Sequence, residues 1–296
     1  MLNFLPSFIL MIINVFIISA ATIFVSIFLT LIVFIRTLCF KKFRLFFSNL
    51  SSFVFKVWLY GVSISINLTN KVDWKISKDF IGSHKKSYIV VSNHVSWLDT
   101  LIIVSVLHKE IPVPKFFMKN SLKYIPFAGQ ACWALDMPFL KRYSREYLIK
   151  HPEATTKDIE NTKNSCKKFK GIPTTMVNFV EGTRFNEEKK NASKSTYINL
   201  LPPKTMSLSL AIESLGEDFE NIIDFTLYYP DNMQHAFKDM LFGRLKRVFI
   251  DAKEIKIEQD LRGNYLEDKV YKRRFTLWLK DLWLKKDQTI ENFKKQ

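Results

Sequence analysis

The amino-acid sequence predicts an α/β protein: a mostly parallel central sheet flanked by helices, behind an N-terminal membrane helix or helical hairpin. Three observations predict it. No charged side chain occurs from Met1 to Ile35. Beyond about residue 70, short runs of β-branched and aromatic residues alternate with stretches of helical period, the pattern of strands joined by helices. No internal repeat, low-complexity tract or Pro/Gly/Ser linker divides that remainder. Residues 1–69 are therefore read as an anchor with an interfacial helix, and residues 70–296 as one α/β domain.

The anchor comes first. Its apolar run exceeds the ~20 residues that one spanning helix needs. A secretory signal wants a basic start and a shorter apolar core, and both are missing. A single tilted span fits the length, and so does a hairpin dipping into one leaflet with its bend near Asn14 to Thr22. The first cations arrive together as Arg36, Lys41, Lys42 and Arg44, which places whatever follows on the cytoplasmic face. The stretch Phe46 to Leu68, with Lys56, Trp58 and Tyr60, reads as an amphipathic helix lying along the bilayer surface.

In the domain, strands are expected at Ser87–Ser92, Pro114–Met118, Ala131–Met137, Pro173–Val180, Ile222–Tyr229 and Val248–Ile257. Helices are expected at Leu98–Leu107, Ala154–Phe169 and Thr205–Leu215, with a charged, Trp-bearing helix from about Glu267 to Lys286 closing the chain. The charge-rich segment Phe185–Lys194 reads as a surface loop.

Composition narrows the function. The formal net charge is +16, which suits an anionic membrane surface, phosphate-bearing substrates or nucleic acid. The sequence contains no RNA-binding module, zinc finger or Gly-rich phosphate loop, so with this N-terminus the charge points to membrane lipids and no nucleic-acid partner is expected. Cys39, Cys132 and Cys166 are far apart and form no CxxC pair, which argues against a metal site or a disulfide framework.

Three constellations carry chemistry. Asn93-His94-Val95-Ser96-Trp97-Leu98-Asp99 follows an expected strand and opens an expected helix, the junction at which open α/β sheets bind ligands. His94 and Asp99 can approach there, the carboxylate fixing the imidazole tautomer and supporting the imidazolium formed on proton uptake. Taken alone, a helix-capping Asn93 and a structural His94 account for the motif equally well. Glu181-Gly182-Thr183-Arg184 follows the strand ending at Val180. Gly182 lets backbone come close to a ligand; Arg184 offers a planar fork suited to phosphate, with Glu181 to hold it or to accept a hydroxyl. Between them lie Lys119, Ile125-Pro126-Phe127-Ala128-Gly129 and Lys141-Arg142, cations at further strand ends that suit a phosphorylated substrate.

In this order the three blocks resemble the glycerolipid acyltransferase family of the lysophosphatidic-acid acyltransferase type, from about Tyr88 to Tyr229. The resemblance implies that His94 is the general base and Asp99 its orienting carboxylate. It implies that Arg142 and the block Glu181, Gly182, Thr183 and Arg184 bind the acceptor, with Lys119 assisting. It further implies transfer of a fatty acyl group from acyl-CoA or acyl carrier protein to a lysophospholipid such as 1-acyl-sn-glycerol-3-phosphate, with no cofactor and no metal. A fourth family block departs here: Leu201-Pro202-Pro203-Lys204 keeps a Lys without the following Gly, and Ile223 to Pro230 lacks the usual Pro. That variant is more similar to the branch containing lysocardiolipin and lysophosphatidylinositol acyltransferases and their bacterial relatives. Two other classes fit less well. A membrane or nucleic-acid binder with a degenerate site predicts loss of His94 or Asp99, and both are present. A phosphatase or lipid hydrolase wants a nucleophile or metal ligands that no motif supplies.

Overall fold

The computed structural model describes residues 2–38, 43–140, 160, 164–166, 169 and 171–296. In chain order the elements are helices α1 (Ser7–Leu38) and α2 (Arg44–Thr69), strands β1 (Asp73–Asp79) and β2 (Ser87–Ser92), and helix α3 (Leu98–Leu107). Strands β3 (Pro114–Phe116) and β4 (Met118–Lys119), a 3-10 turn (Asn120–Tyr124), helix α4 (Ala128–Ala134) and strand β5 (Phe139–Leu140) follow. Next come β6 (Thr175–Phe179), α5 (Glu187–Ala192), α6 (Thr205–Leu215), β7 (Phe219–Tyr228), α7 (Ala236–Leu241), β8 (Arg247–Lys256) and α8 (Lys269–Lys294). Two compact units interleave along the chain: Met1–Lys71, Lys115–Ser165 and Lys238–Arg244 form one, and Val72–Pro114, Cys166–Phe237 and Leu245–Gln296 the other.

In the first unit, α1 and α2 run antiparallel. Both are long and apolar enough to cross a membrane by length and composition; the 32 residues of α1 span about 48 Å at the helical rise. The helix is unbroken, so the chain does not turn at Asn14 to Thr22. Asn14 is instead a buried polar hub. Its amide donates to Leu241 O (2.7 Å) and its carbonyl accepts from Ser65 (2.6 Å) and Thr69 (3.0 Å). An isolated amide among apolar neighbours costs more than it returns unless it is bonded, so these bonds fix the register of the two helices. Trp58 donates to Thr22 at 3.0 Å, and Arg36 grips Asp136 at 2.9 and 3.2 Å.

In the second unit five strands run in the order β1-β8-β7-β2-β6. β1 is parallel to β8, and β7 to β2 and β2 to β6 are parallel, while β7 and β8 are antiparallel. The mostly parallel sheet that the sequence predicts is present. Every residue of β2 is buried, which is why its sequence is a continuous apolar run rather than an alternation. α8 buries Tyr271, Phe275, Leu279 and Trp283. It also buries Lys286, whose ammonium meets Asp224 Oδ1 at 2.6 Å, Phe225 O at 2.8 Å and Thr226 Oγ1 at 3.0 Å. Burial pulls the Lys286 pKa down, and Asp224 first, then Asp251 and Glu181, oppose that shift.

The expected helices Leu98–Leu107 and Thr205–Leu215 form at those boundaries. Two expectations are corrected. Ala131–Met137 is not a strand: Ala128–Ala134 is helical and a turn follows. Short apolar runs carry no period that separates strand from helix. Here Gln130 accepts from the Phe127 amide at 2.6 Å and starts a helix. The segment Phe185–Lys194 is not all loop, because Glu187–Ala192 is helical; the Asn186 side chain accepts from Lys189 N at 2.8 Å and caps it. The expected helix Ala154–Phe169 lies largely outside the described residues. Strand β1 and helix α7 were not among the expected elements; β1 is mostly exposed and has no apolar run to mark it.

Replacing Lys286 with Met leaves Asp224 buried without its cation. Breaking such a pair from one side costs about 3–5 kcal/mol. Urea unfolding of the full chain in detergent is expected to show a loss of that order, and a loss below about 1 kcal/mol, the scale of an exposed pair, contradicts it.

Candidate active site

The site is built where β2 ends. Ser92 is the last strand residue and Asn93 continues the ladder with its side chain: its amide donates to Leu227 O at 2.8 Å and its Oδ1 accepts from Leu227 N at 2.9 Å. This clasp fixes the backbone from which His94 projects. One turn on, Asp99 enters the first turn of α3, where the helix dipole favours a carboxylate. Asp99 is fully buried and accepts four hydrogen bonds. Its Oδ2 takes His94 Nδ1 (2.8 Å), Val95 N (2.6 Å) and Ser96 N (2.9 Å), and its Oδ1 takes the Tyr229 hydroxyl (2.7 Å). A carboxylate so surrounded has only acceptor sites, so Nδ1 of His94 carries the proton and Nε2 keeps its lone pair. The imidazole also stacks on Phe179 of β6, centroids 4.0 Å apart at 16°. Its side chain retains 17% exposure, enough for one face to meet a substrate.

Tyr229 is wholly buried, and burial together with the Asp99 charge pushes its pKa well up. It therefore stays a neutral donor to Asp99.

The third block closes over this pair. Gly182 takes φ 71°, a conformation that favours glycine, and a Cβ there would lie 2.9 Å from Lys204 Nζ. Lys204 is brought in by its own amide, which donates to Val180 O at 2.7 Å. Phe185 N donates to His94 O at 2.7 Å, so the turn after β6 is stitched to the backbone of the first block. Glu181 is buried, and neither carboxylate oxygen has a partner in hydrogen-bond geometry. Burial pushes its pKa well above the carboxylate range and Asp99 adds to the rise, while the nearby amides of His94 and Leu201 and the Lys286 cation oppose it. The neutral acid is the form this environment favours.

Arg184 is exposed and lies over the Trp97 ring at 5.1 Å. Lys189 bonds Thr183 Oγ1 (2.8 Å) and Arg184 O (2.9 Å). Arg184, Lys189 and Lys204 thus gather around one glycine turn, next to the His94 block, where an anionic group would be attracted.

Of the residues singled out in the sequence, His94, Asp99, Glu181, Gly182, Thr183 and Arg184 come together here. Lys119 belongs to the other unit, exposed at the end of β4, which pairs with β5 in parallel. Arg142 lies outside the described residues. Sequence reasoning missed Tyr229, Phe179, Lys189 and the clasp of Asn93. Their signal is spatial: each is an ordinary residue of its own segment, and only the sheet order places it beside the pair. Lys204 was noted as a remnant of the fourth block. Among the described residues no group of three His, Cys, Asp or Glu is placed to hold a metal.

Comparison with known proteins gives the same answer. The family model described as Acyltransferase matches residues 70–229, more than half of the 296 residues. The chain is 26% identical over 254 residues to 1-acyl-sn-glycerol-3-phosphate acyltransferase 3 of Arabidopsis thaliana, covering 80% of this chain and 61% of that one. It is 24% identical to lysocardiolipin acyltransferase 1 of Gallus gallus, covering 69% and 53%. The chain thus spans between half and two thirds of the length of these relatives. The crystal structure of the 1-acyl-sn-glycerophosphate acyltransferase PlsC from Thermotoga maritima shares the fold, with a TM-score of 0.60 at 16% identity over 98% of this chain and 97% of that one. The pairing of His94 with Asp99, the turn at Glu181–Arg184 beside it, and the match across both place this chain in the acyltransferase family.

Proposed function

We propose that this protein transfers a fatty acyl group from a thioester to a free hydroxyl of a phosphate-bearing lysophospholipid, at a membrane surface. The observation that carries the reading is the His94–Asp99 pair, with Nε2 of the imidazole free, set against a turn ringed by Arg184, Lys189 and Lys204. A hydroxyl is a weak nucleophile at neutral pH and needs a base within hydrogen-bond reach. In the proposed reaction His94 Nε2 takes the hydroxyl proton as its oxygen attacks the thioester carbonyl carbon. Asp99 stabilises the imidazolium that forms. The tetrahedral intermediate then collapses, the C–S bond breaks, and the leaving thiolate takes the proton back from His94. An ester and a free thiol result, and the sequence of steps draws on no resident cofactor.

The acceptor class is supported by the names of the relatives: one acts on 1-acyl-sn-glycerol-3-phosphate and another on lysocardiolipin, both lysolipids with phosphate. We assign Arg184 to the acceptor phosphate; a role in acceptor binding for Arg142 and Lys119 rests on the resemblance alone. The donor is acyl-CoA or acyl carrier protein. Residues 1–69 serve as the membrane anchor, with residues 70–296 working on the cytoplasmic side; the two apolar helices and the cations that follow the first are what support this.

The test is to incubate the purified protein with labelled acyl-CoA, and separately with a labelled acyl carrier protein thioester, and a panel of 1-acylglycerol-3-phosphate, monolysocardiolipin and lysophosphatidylinositol, and to identify products by mass. A diacyl product is expected with at least one, and His94→Ala should lower its rate by at least ~100-fold in folded protein. No product with any acceptor from either donor, or full activity in the variant, contradicts the reading.

Tyr229→Phe removes one donor to Asp99 while keeping the ring. Asp99 Oδ1 then loses its partner and the imidazole is oriented less firmly, so kcat should fall about fivefold, the worth of about 1 kcal/mol for one hydrogen bond, with KM unchanged. An unchanged kcat counts against the role of Tyr229.

A further inference from the structure

The first unit displays a second apolar surface that the two long helices do not account for. Between the 3-10 turn Asn120–Tyr124 and α4, the side chains of Tyr124 (74% exposed), Ile125 (47%), Phe127 (41%) and Trp133 (54%) face outward. Four large apolar groups on so short a stretch are more than scattered surface hydrophobes. Their display is built in. Phe127 takes φ 61°, a strained conformation for a bulky residue, and Gln130 holds its amide. Gly129 lies under the Lys123 carbonyl, where a Cβ would come within 2.4 Å of the oxygen.

The charge along this segment has one sign. From residue 115 to 135 the chain carries Lys115, Lys119 and Lys123 and no acidic residue, and Lys123 sits over the Tyr124 ring at 4.9 Å. The surface is also continuous with the helix pair. α4 packs on α1, and Asp136, just beyond α4, is the partner of Arg36 at the cationic end of α1. Near that end Phe34 and Leu38 are likewise exposed, at 62% and 73%.

We propose that the segment Lys119–Trp133 is a second membrane contact, inserting Tyr124, Ile125, Phe127 and Trp133 at the headgroup level of an anionic bilayer beside α1. Trp and Tyr favour that depth, where ring and polar tip are both accommodated. The nearby lysines are attracted to an anionic leaflet. This inference rests on the reading that α1 and α2 lie in the membrane.

The test uses the full chain with Cys39, Cys132 and Cys166 changed to Ser. A single reporter cysteine is placed by Phe24→Cys on α1, by Tyr124→Cys, or by Ile125→Cys as a second probe of the same surface. Each carries an environment-sensitive fluorophore and is reconstituted in phosphatidylcholine/phosphatidylglycerol vesicles. Lipids spin-labelled near the headgroup should quench the probes at 124 and 125 more than lipids labelled deep in the chain, and the probe at 24 should be quenched by the deep label. Quenching at 24 with none at 124 and 125 overturns the second contact and leaves the anchor standing. Quenching at none of the three overturns the anchor reading itself. A blue shift at 124 that no lipid quenches means the surface is covered by protein, a second copy or a partner, and also overturns the proposal.

Discussion

The site depends on one buried carboxylate. Asp99 has no exposed surface and four hydrogen-bond donors converge on it: the imidazole of His94, two backbone amides at the start of α3, and the hydroxyl of Tyr229. A bare buried anion is too costly to hold; one met by amides and a helix N-terminus is held firmly. Satisfying that charge is what shapes the junction. The chain after β2 turns so that Val95 and Ser96 offer their amides, α3 begins where it does, and Tyr229 is drawn down at the end of β7. His94 is then left with one orientation and one protonated nitrogen, and the other nitrogen is available for a proton.

The rest of the second unit braces this arrangement from behind. Asn93 ties the end of β2 to β7, and Lys286 reaches from α8 into β7 a few residues earlier. α8 also orders the strip before Lys204: Trp283 donates to Leu201 O at 3.0 Å, and Asp287 accepts from the amides of Ile198 and Asn199 at 2.7 and 2.8 Å. That strip delivers Lys204 to the Gly182 turn. Removing water from one carboxylate thus propagates through a sheet and a C-terminal helix to the cations that flank the site. Glu181, buried without a partner, is the opposite case. Burial makes the neutral acid the form its environment favours.

Much of this was legible in the sequence, for a physical reason. Strands buried on both faces are rich in apolar residues, so β2, β6 and β7 stand out, and the residues at their ends are where a parallel sheet puts chemistry. His94, Asp99 and the Glu181–Arg184 turn were found that way. The helix Ala128–Ala134 was not, because a seven-residue run of small and apolar residues around Gln130 fits either period, and that glutamine, accepting from the Phe127 amide, decides for the helix. Nor was Tyr229 found: its partner is 130 residues away in the chain, and no local pattern encodes a long-range hydroxyl. The hairpin of α1 and α2 was half legible. Hydropathy marked both helices, but the buried Asn14, which on sequence alone marked a bend, is a bonded hub within an unbroken helix.

The central claim is that Asp99 fixes His94 with its proton on Nδ1, leaving Nε2 as the base. Nitrogen NMR of the full-length protein with labelled histidine, the His94 signals assigned by their loss in His94→Ala, reads the tautomer directly. In its neutral form His94 should show a protonated Nδ1 and a free Nε2. A proton on Nε2 instead would contradict the account, because the nitrogen assigned to the hydroxyl could not then accept from it.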